Sequence, residues 1–130
     1  MEIVYWGIKA RAYAAQVVAA YKGLPLTTST DRANKWPEDK SICHFGQLPL
    51  LIDGDIKVNQ SLAILNYIGH KAKAQGETDA DFGMSQMLVS EYSDLFEGLA
   101  KCMYAGDDAA KAAAWKKCVP PSPPDTSFYS

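Results

Sequence analysis

Residues 45–61 have the sequence FGQLPLLIDGDIKVNQS, in which two short apolar runs flank an Asp-Gly-Asp turn. An Asp-Gly pair between apolar runs is typical of a β-hairpin, so we predict antiparallel strands at 50–52 and 56–58. Pro49 stands just before the first strand, where it interrupts no hydrogen bond of the ladder. The stretch therefore predicts a proline loop that leads into a hairpin.

The end of the same stretch predicts the start of a helix. Gln60-Ser61 precedes the apolar residues 62–65, and serine is a preferred N-cap residue. We expect Ser61 to cap a helix that continues to about Lys73. Because the first N–H groups of a helix have no partner within it, this terminus beside a proline loop suits a ligand that carries a carboxylate.

The residues upstream predict a βαβ unit. Residues 3–6 are β-branched and aromatic, 10–22 combine high helix propensity with apolar side chains at helical spacing, and 26–30 form a candidate second strand. Such a unit implies parallel strands joined by a right-handed crossover. With the hairpin and its helix, it predicts an α/β fold: a thioredoxin-like domain of βαβ-ββα order with a four-stranded mixed sheet.

The remaining segments predict a loop, a shortened all-α part and a tail. Residues 31–44 have no clear period and are interpreted as an irregular loop. A long helix is predicted at 79–105, followed by a short alanine-rich helix, and the last twelve residues contain four prolines. We therefore expect three parts, namely a thioredoxin-like domain at 1–73, a truncated helical domain at 79–118 and a disordered proline-rich tail at 119–130.

Composition and charge narrow the function classes. The 130-residue chain has a net charge of −2 and lacks a basic block, which argues against nucleic acid as a partner. It has no run of eighteen apolar residues, its first six residues are interpreted as a strand rather than a secretory leader, and its three cysteines have no C-x-x-C spacing. We therefore expect a cytoplasmic protein with reduced thiols and no membrane association. Because His44 and His70 have no ligand-spaced partners, we expect no metal.

Four segments in order resemble the N-terminal part of a cytosolic glutathione transferase, closest to the sigma class. They are IVYW at 3–6 leading to Arg11, WPEDK at 36–40, FGQLP at 45–49 and QSLAI at 60–64. The resemblance extends over about residues 3–99. It implies glutathione as co-substrate, without a metal, and a thiolate that attacks a small electrophile in detoxification and glutathione metabolism.

The resemblance implies a catalytic role for Tyr5 and Arg11. The Tyr5 hydroxyl would donate a hydrogen bond to the glutathione sulfur, and Arg11 would support the thiolate electrostatically. One hydrogen bond to a charged group contributes roughly 1.5–3 kcal/mol, which lowers a thiol pKa of ~8.5 by ~1–2 units. The alternatives are a tyrosine that packs in the core and an arginine that is merely solvated.

The resemblance also implies the residues that hold the tripeptide. Leu48 would offer its backbone to the cysteinyl part, next to a cis peptide bond before Pro49. The implied glutathione-binding residues are Trp36, Lys40, Gln47, Leu48, Pro49, Gln60, Ser61 and Asp94. Trp36 and Lys40 would hold the glycyl carboxylate, and Gln60 and Ser61 the γ-glutamyl end. Asp94 would reach the γ-glutamyl amine bound by a neighbouring subunit. The alternative interpretation of both Asp94 and Lys40 is a side chain that simply faces solvent.

The length leaves alternatives open. The resemblance implies at least five helices after the linker in full members of the family, and because the all-α part is shorter here, we expect much of the electrophile pocket to be missing. The leading hypothesis is a glutathione transferase acting as a homodimer through the apolar face of its long helix. The alternative is a glutathione-binding relative that is non-catalytic or structural. A thioredoxin-like redox module is the weakest reading, because the Tyr5–Arg11 turn lacks a cysteine, and Cys43 is interpreted as a small buried residue.

Overall fold

A four-stranded mixed sheet forms the centre of the first part of the chain. The computed structural model describes residues 1–36 and 38–118. The strands are β1 (Glu2–Val4), β2 (Thr27–Ser29), β3 (Leu50–Asp53) and β4 (Ile56–Asn59). Their order across the sheet is β2-β1-β3-β4, with β1 parallel to β2 and both other pairs antiparallel. The predicted mixed sheet and hairpin are confirmed.

Helices flank this sheet, and two of them lie in the segment for which an irregular loop was predicted. They are α1 (Tyr13–Tyr21), α2 (Thr30–Asn34), a 3₁₀ turn (Glu38–Ile42) and α3 (Ser61–Lys71). The prediction of an irregular loop over 31–44 is wrong in two places, where α2 and the 3₁₀ turn form. Ala33 of α2 is buried, and the Arg32 guanidinium donates to the Glu2 carboxylate of β1 at 3.0 Å. Tertiary contacts of this kind can stabilise a short helix even where the sequence shows no clear helical periodicity.

The hydrophobic core is formed by side chains on both faces of the sheet. Val4 of β1 pairs with Leu50 of β3, and both side chains are fully buried. They form one cluster with the buried residues Ala33 and Cys43. Ile3 and its partner Leu51 are also fully buried, and they face the opposite side because successive strand residues alternate. The interpretation of Cys43 as a buried residue is confirmed.

The chain divides into two compact units, Met1–Phe82 and Gly83–Ser130. Helix α4 (Asp79–Met103) begins after Thr78, whose hydroxyl accepts from the Asp81 N–H at 3.1 Å while its own N–H donates to the Asp81 carboxylate. This reciprocal pair is a capping box. Helix α5 (Asp108–Cys118) follows, and the Asp107 carboxylate accepts from the Ala110 N–H at 2.8 Å.

Two sequence predictions concern the ends and the environment of the chain. The predicted disordered tail at 119–130 lies outside the described residues. Within the described residues, none of the helices has the length and apolar character needed to cross a membrane.

Candidate functional site

One cavity of about 520 Å³ lies where the loop before β3 meets the start of α3. Its lining includes seven residues that the sequence nominated and two that it did not. The nominated residues are Arg11, Trp36, Gln47, Leu48, Pro49, Gln60 and Ser61, and the two others are Trp6 and Gly46. The chain therefore brings residues from five different segments to a single concave surface.

Three nominated residues are not part of this lining. Tyr5 follows β1 directly and is only 4% exposed, with its ring centroid 5.3 Å from that of Trp6. Lys40 is exposed in the 3₁₀ turn, and its aliphatic chain lies against Gly46, where an added Cβ would be 3.1 Å from Lys40 Cε. Asp94 belongs to α4 in the second unit and is exposed.

Trp6 was missed as a site residue because the sequence placed it in a buried strand. The structure ends β1 at Val4, and Trp6 is 39% exposed. Trp6 is one of the residues that line the cavity. A large aromatic residue next to Gly7 was the available signal, since glycine often ends a strand.

The loop before β3 is fixed by one buried polar residue, Asn59, which the sequence analysis also missed. The Leu48–Pro49 peptide bond is cis, as the resemblance implies. Asn59 is 5% exposed, and its amide donates to the carbonyl oxygens of Gln47 at 2.9 Å and Pro49 at 3.3 Å. Its side-chain oxygen accepts from the His44 N–H at 3.0 Å. A polar residue at the end of an apolar strand was the signal for this contact.

The start of α3 differs from the prediction. Ser61 is the first residue of the helix, so its assignment as N-cap is wrong, and Gln60 occupies the cap position. Gln60 has φ +73° and ψ +123°, and its carbonyl oxygen accepts from the Ile64 N–H at 2.9 Å. Among the described residues, no side chain caps this terminus. The first N–H groups of α3 are therefore available to an anion in the cavity.

The cavity is polar and cationic in character. Arg11 is exposed and supplies a permanent positive charge, and the uncapped terminus of α3 adds the positive end of a helix dipole. Gln47 and Gln60 approach each other across the wall, with 3.5 Å between the Gln60 amide nitrogen and the Gln47 side-chain oxygen. Such a surface can bind an elongated ligand with carboxylates and peptide groups. Within the described ranges, no cluster of three or more metal-ligating side chains occurs.

Comparison with known proteins matches the first part of the chain to one family. Residues 1–70 match the family model "Glutathione S-transferase, N-terminal domain". "Glutathione S-transferase 2" of Gallus gallus is 30% identical over 126 residues, which cover 89% of this chain and 57% of that protein. The chain spans about half the length of the curated relatives it matches.

Solved structures show the same fold. The glutathione S-transferase of Ascaris lumbricoides superimposes with a TM-score of 0.77 at 23% identity, over 92% of this chain and 63% of that chain. The sigma class enzyme of Fasciola hepatica gives a TM-score of 0.69 at 21% identity, over 89% and 57%. The predicted thioredoxin-like fold is therefore confirmed. Since the family model covers more than half of its residues, this chain belongs to the glutathione S-transferase family and carries the N-terminal domain of that family.

Proposed function

We propose that this cavity binds glutathione and that the chain activates the glutathione thiol for attack on small electrophiles. The observation that carries the proposal is the convergence of seven nominated residues, from Arg11 to Ser61, on one cavity. The charged and hydrogen-bonding groups that line the cavity suit a tripeptide, because glutathione has two carboxylates, an amine and two peptide groups. Membership of the glutathione S-transferase family supports the same ligand.

We assign a group of protein residues to each part of the tripeptide. The Leu48 N–H and C=O groups are offered to the cysteinyl peptide, because the adjacent loop is held by Asn59. The γ-glutamyl carboxylate is assigned to Ser61 and the N–H groups at the start of α3. The glycyl carboxylate is assigned to the Trp36 indole N–H and the Lys40 ammonium group.

Tyr5 and Arg11 are the proposed catalytic residues. The Tyr5 hydroxyl donates to the glutathione sulfur and favours its thiolate, which is the nucleophile. Arg11 lines the cavity as a cation and stabilises the same negative charge. The thiolate then forms a bond to carbon of the electrophile by addition, or by substitution with departure of a leaving group.

The proposal also includes four more specific points: a sigma-like class, a cytoplasmic location, a role in detoxification and assembly as a homodimer. Exposed apolar residues along α4 support a homodimer, among them Leu88, Leu95 and Leu99. In such a dimer, Asp94 binds the γ-glutamyl amine held by the other subunit.

The test compares Tyr5→Phe with Tyr21→Phe, since Tyr21 is an exposed residue of α1. The measurements are glutathione affinity by calorimetry and the conjugation rate with 1-chloro-2,4-dinitrobenzene. Loss of one charge-assisted hydrogen bond, worth roughly 1.5–3 kcal/mol, lowers kcat/KM by about 10- to 100-fold. Tyr21→Phe keeps the full rate. A Tyr5→Phe variant with the wild-type rate contradicts the assigned role.

A second candidate is a glutathione-binding protein without catalysis. It is favoured by the placement of Tyr5, which is only 4% exposed and is not among the residues that line the cavity. Calorimetric binding of glutathione with no conjugation of any of several electrophiles supports this candidate. Measurable turnover that depends on Tyr5 rejects it.

A further inference from the structure

The second unit brings two cysteine thiols together at the ends of its two helices. The Sγ atoms of Cys102 in α4 and Cys118 in α5 lie 3.4 Å apart. Both thiols are free, and the third cysteine, Cys43, is buried in the first unit. A disulfide needs the sulfur atoms at about 2 Å, so only a small approach separates this pair from a covalent bond.

A glycine one turn before Cys102 allows this close approach. Gly98 lies four residues before Cys102, on the same face of α4. A Cβ placed on Gly98 would be 2.6 Å from Cys118 Cβ and 3.8 Å from Cys118 Cα. The absence of a side chain at this position therefore lets the end of α5 lie directly on α4.

The two thiols differ in their access to solvent. Cys118 lines a groove of about 760 Å³ between α4 and α5, whose lining also includes Lys101 and Lys117. Cys102 is 8% exposed. Burial, together with the hydrogen bond to the Cys118 thiol, raises the pKa of Cys102. An incoming reagent consequently reaches Cys118 first, and Cys102 is placed to react second.

We propose that Cys102 and Cys118 form a redox-active dithiol, which a low-molecular-weight disulfide oxidises to an intramolecular disulfide. The Cys118 thiol loses its proton to solvent and its sulfur attacks the reagent disulfide, which releases one thiolate and leaves a mixed disulfide on Cys118. Cys102 then loses its proton and attacks Cys118 Sγ, and the second reagent thiolate leaves. Both released thiolates take up a proton, so two protein thiols are oxidised and one disulfide is reduced to two thiols. The inference rests on the second unit alone and does not depend on the proposed function.

The test treats the reduced full chain with bis(2-hydroxyethyl) disulfide, followed by acid quench, denaturation, alkylation and mass spectrometry. The expected product has lost two hydrogen atoms, retains Cys43 as its alkylated cysteine and yields a peptide that joins Cys102 to Cys118. Cys102→Ser is expected to stop at a stable mixed disulfide between Cys118 and 2-mercaptoethanol. Wild-type protein that keeps all three thiols, or that stops at the mixed disulfide, overturns the proposal.

Two glycine variants separate the specific geometry from general thiol reactivity. Gly98→Ala inserts a methyl group against Cys118, and we expect closure of the disulfide to slow by about tenfold or more, because reacting atoms need near-contact geometry. Gly83→Ala is the matched control, since an added Cβ there meets no atom within 4 Å. In Gly83→Ala, the disulfide is expected to form at the wild-type rate. Equal closure rates in both variants contradict the role of the Gly98 contact.

Discussion

The side-chain amide of Asn59 donates a hydrogen bond of 2.9 Å to the backbone carbonyl oxygen of Gln47. This bond joins the end of β4 to the loop that leads into β3. Because Gln60 and Ser61 follow Asn59 directly, one buried side chain sets the spacing between two walls of the cavity. Asn59 is thus a positioning residue for the proposed glutathione site.

Replacement of Asn59 by alanine is expected to weaken both the fold and the site. It removes the partners of the Gln47 and Pro49 carbonyl groups and of the His44 N–H. An unsatisfied buried polar group costs about 1–3 kcal/mol, so we expect the free energy of unfolding in urea to fall by about that amount. The dissociation constant for glutathione, measured by calorimetry, is expected to rise about tenfold, since 1.4 kcal/mol corresponds to that factor.

Asn34→Ala serves as the control for Asn59, because Asn34 is exposed at the end of α2. It is expected to leave glutathione affinity unchanged. Wild-type affinity in Asn59→Ala, despite a measured loss of stability, would show that Asn59 supports the fold without positioning the loop.

Gln60→Gly is expected to stabilise the fold while it weakens glutathione binding. Gln60 has φ +73° and ψ +123°, outside the left-handed helical region, and such strain costs about 1–3 kcal/mol for a residue with a Cβ. Glycine relieves the strain but removes a side chain that lines the cavity. We expect a higher midpoint of urea unfolding together with a glutathione dissociation constant raised severalfold.

Lys73→Gly is the matched control for Gln60→Gly. Lys73 also has positive φ, +49°, and it follows α3 at the other end from the cavity-lining residues. This variant is expected to gain stability without any change in affinity. If Gln60→Gly binds glutathione as tightly as Lys73→Gly does, the Gln60 side chain has no binding role.

The sequence predicted the hairpin and the position of α3 because both depend on local chemistry. The Asp53-Gly54 pair specifies a tight turn, and the apolar residues after Ser61 specify a buried helix face. Neither signal needs information about distant residues. The parallel strand pair likewise follows from local signals, since a strand, a helix and a second strand within thirty residues imply a right-handed βαβ crossover.

The features that were missed depend on distant contacts. Helix α2 is short and is held by the burial of Ala33 and by the ion pair of Arg32 with Glu2, thirty residues earlier. The importance of Asn59 arises from partners twelve and fifteen residues away. The N-cap at Gln60 was assigned to Ser61 because serine has the higher capping propensity, while the positive φ of Gln60 is set by its position between β4 and α3.

The charge cluster around Asp53 predicts a pH dependence of stability. The Asp53 carboxylate accepts from the Tyr67 hydroxyl at 2.8 Å and from the Lys71 ammonium group. The bonds from Lys71 and Tyr67 hold the pKa of Asp53 below its usual value of 3.8. The bond to Asp53 likewise raises the pKa of Lys71 above 10.5.

A carboxyl group whose pKa is depressed in the folded state stabilises it above the unfolded pKa and loses that effect as pH falls through the folded pKa. We therefore expect Asp53→Asn to be less stable than wild type at pH 7, with the difference fading below about pH 3.8. The measurement is urea unfolding across this range. Asp55→Asn, in the same turn, is the control, and an equal loss in both variants contradicts a specific role for the cluster.

Gly46 and Gly54 form a matched pair that separates backbone strain from crowding of the site. Their φ values are +59° and +60°, so alanine at either position enters the left-handed region and is expected to lower the free energy of unfolding by about 1 kcal/mol. They differ in surroundings, because a Cβ at Gly46 lies 3.1 Å from Lys40 Cε, whereas one at Gly54 meets nothing within 4 Å.

Only Gly46→Ala is therefore expected to affect the ligand. It displaces Lys40, the proposed partner of the glycyl carboxylate, and it adds a methyl group to a residue that lines the cavity. We expect a severalfold rise in the glutathione dissociation constant by calorimetry, against no change in Gly54→Ala. The rise should shrink when glutathione is replaced by γ-glutamylcysteine, which lacks the glycyl carboxylate. If both variants lose the same affinity, strain in the backbone rather than displacement of Lys40 is the cause.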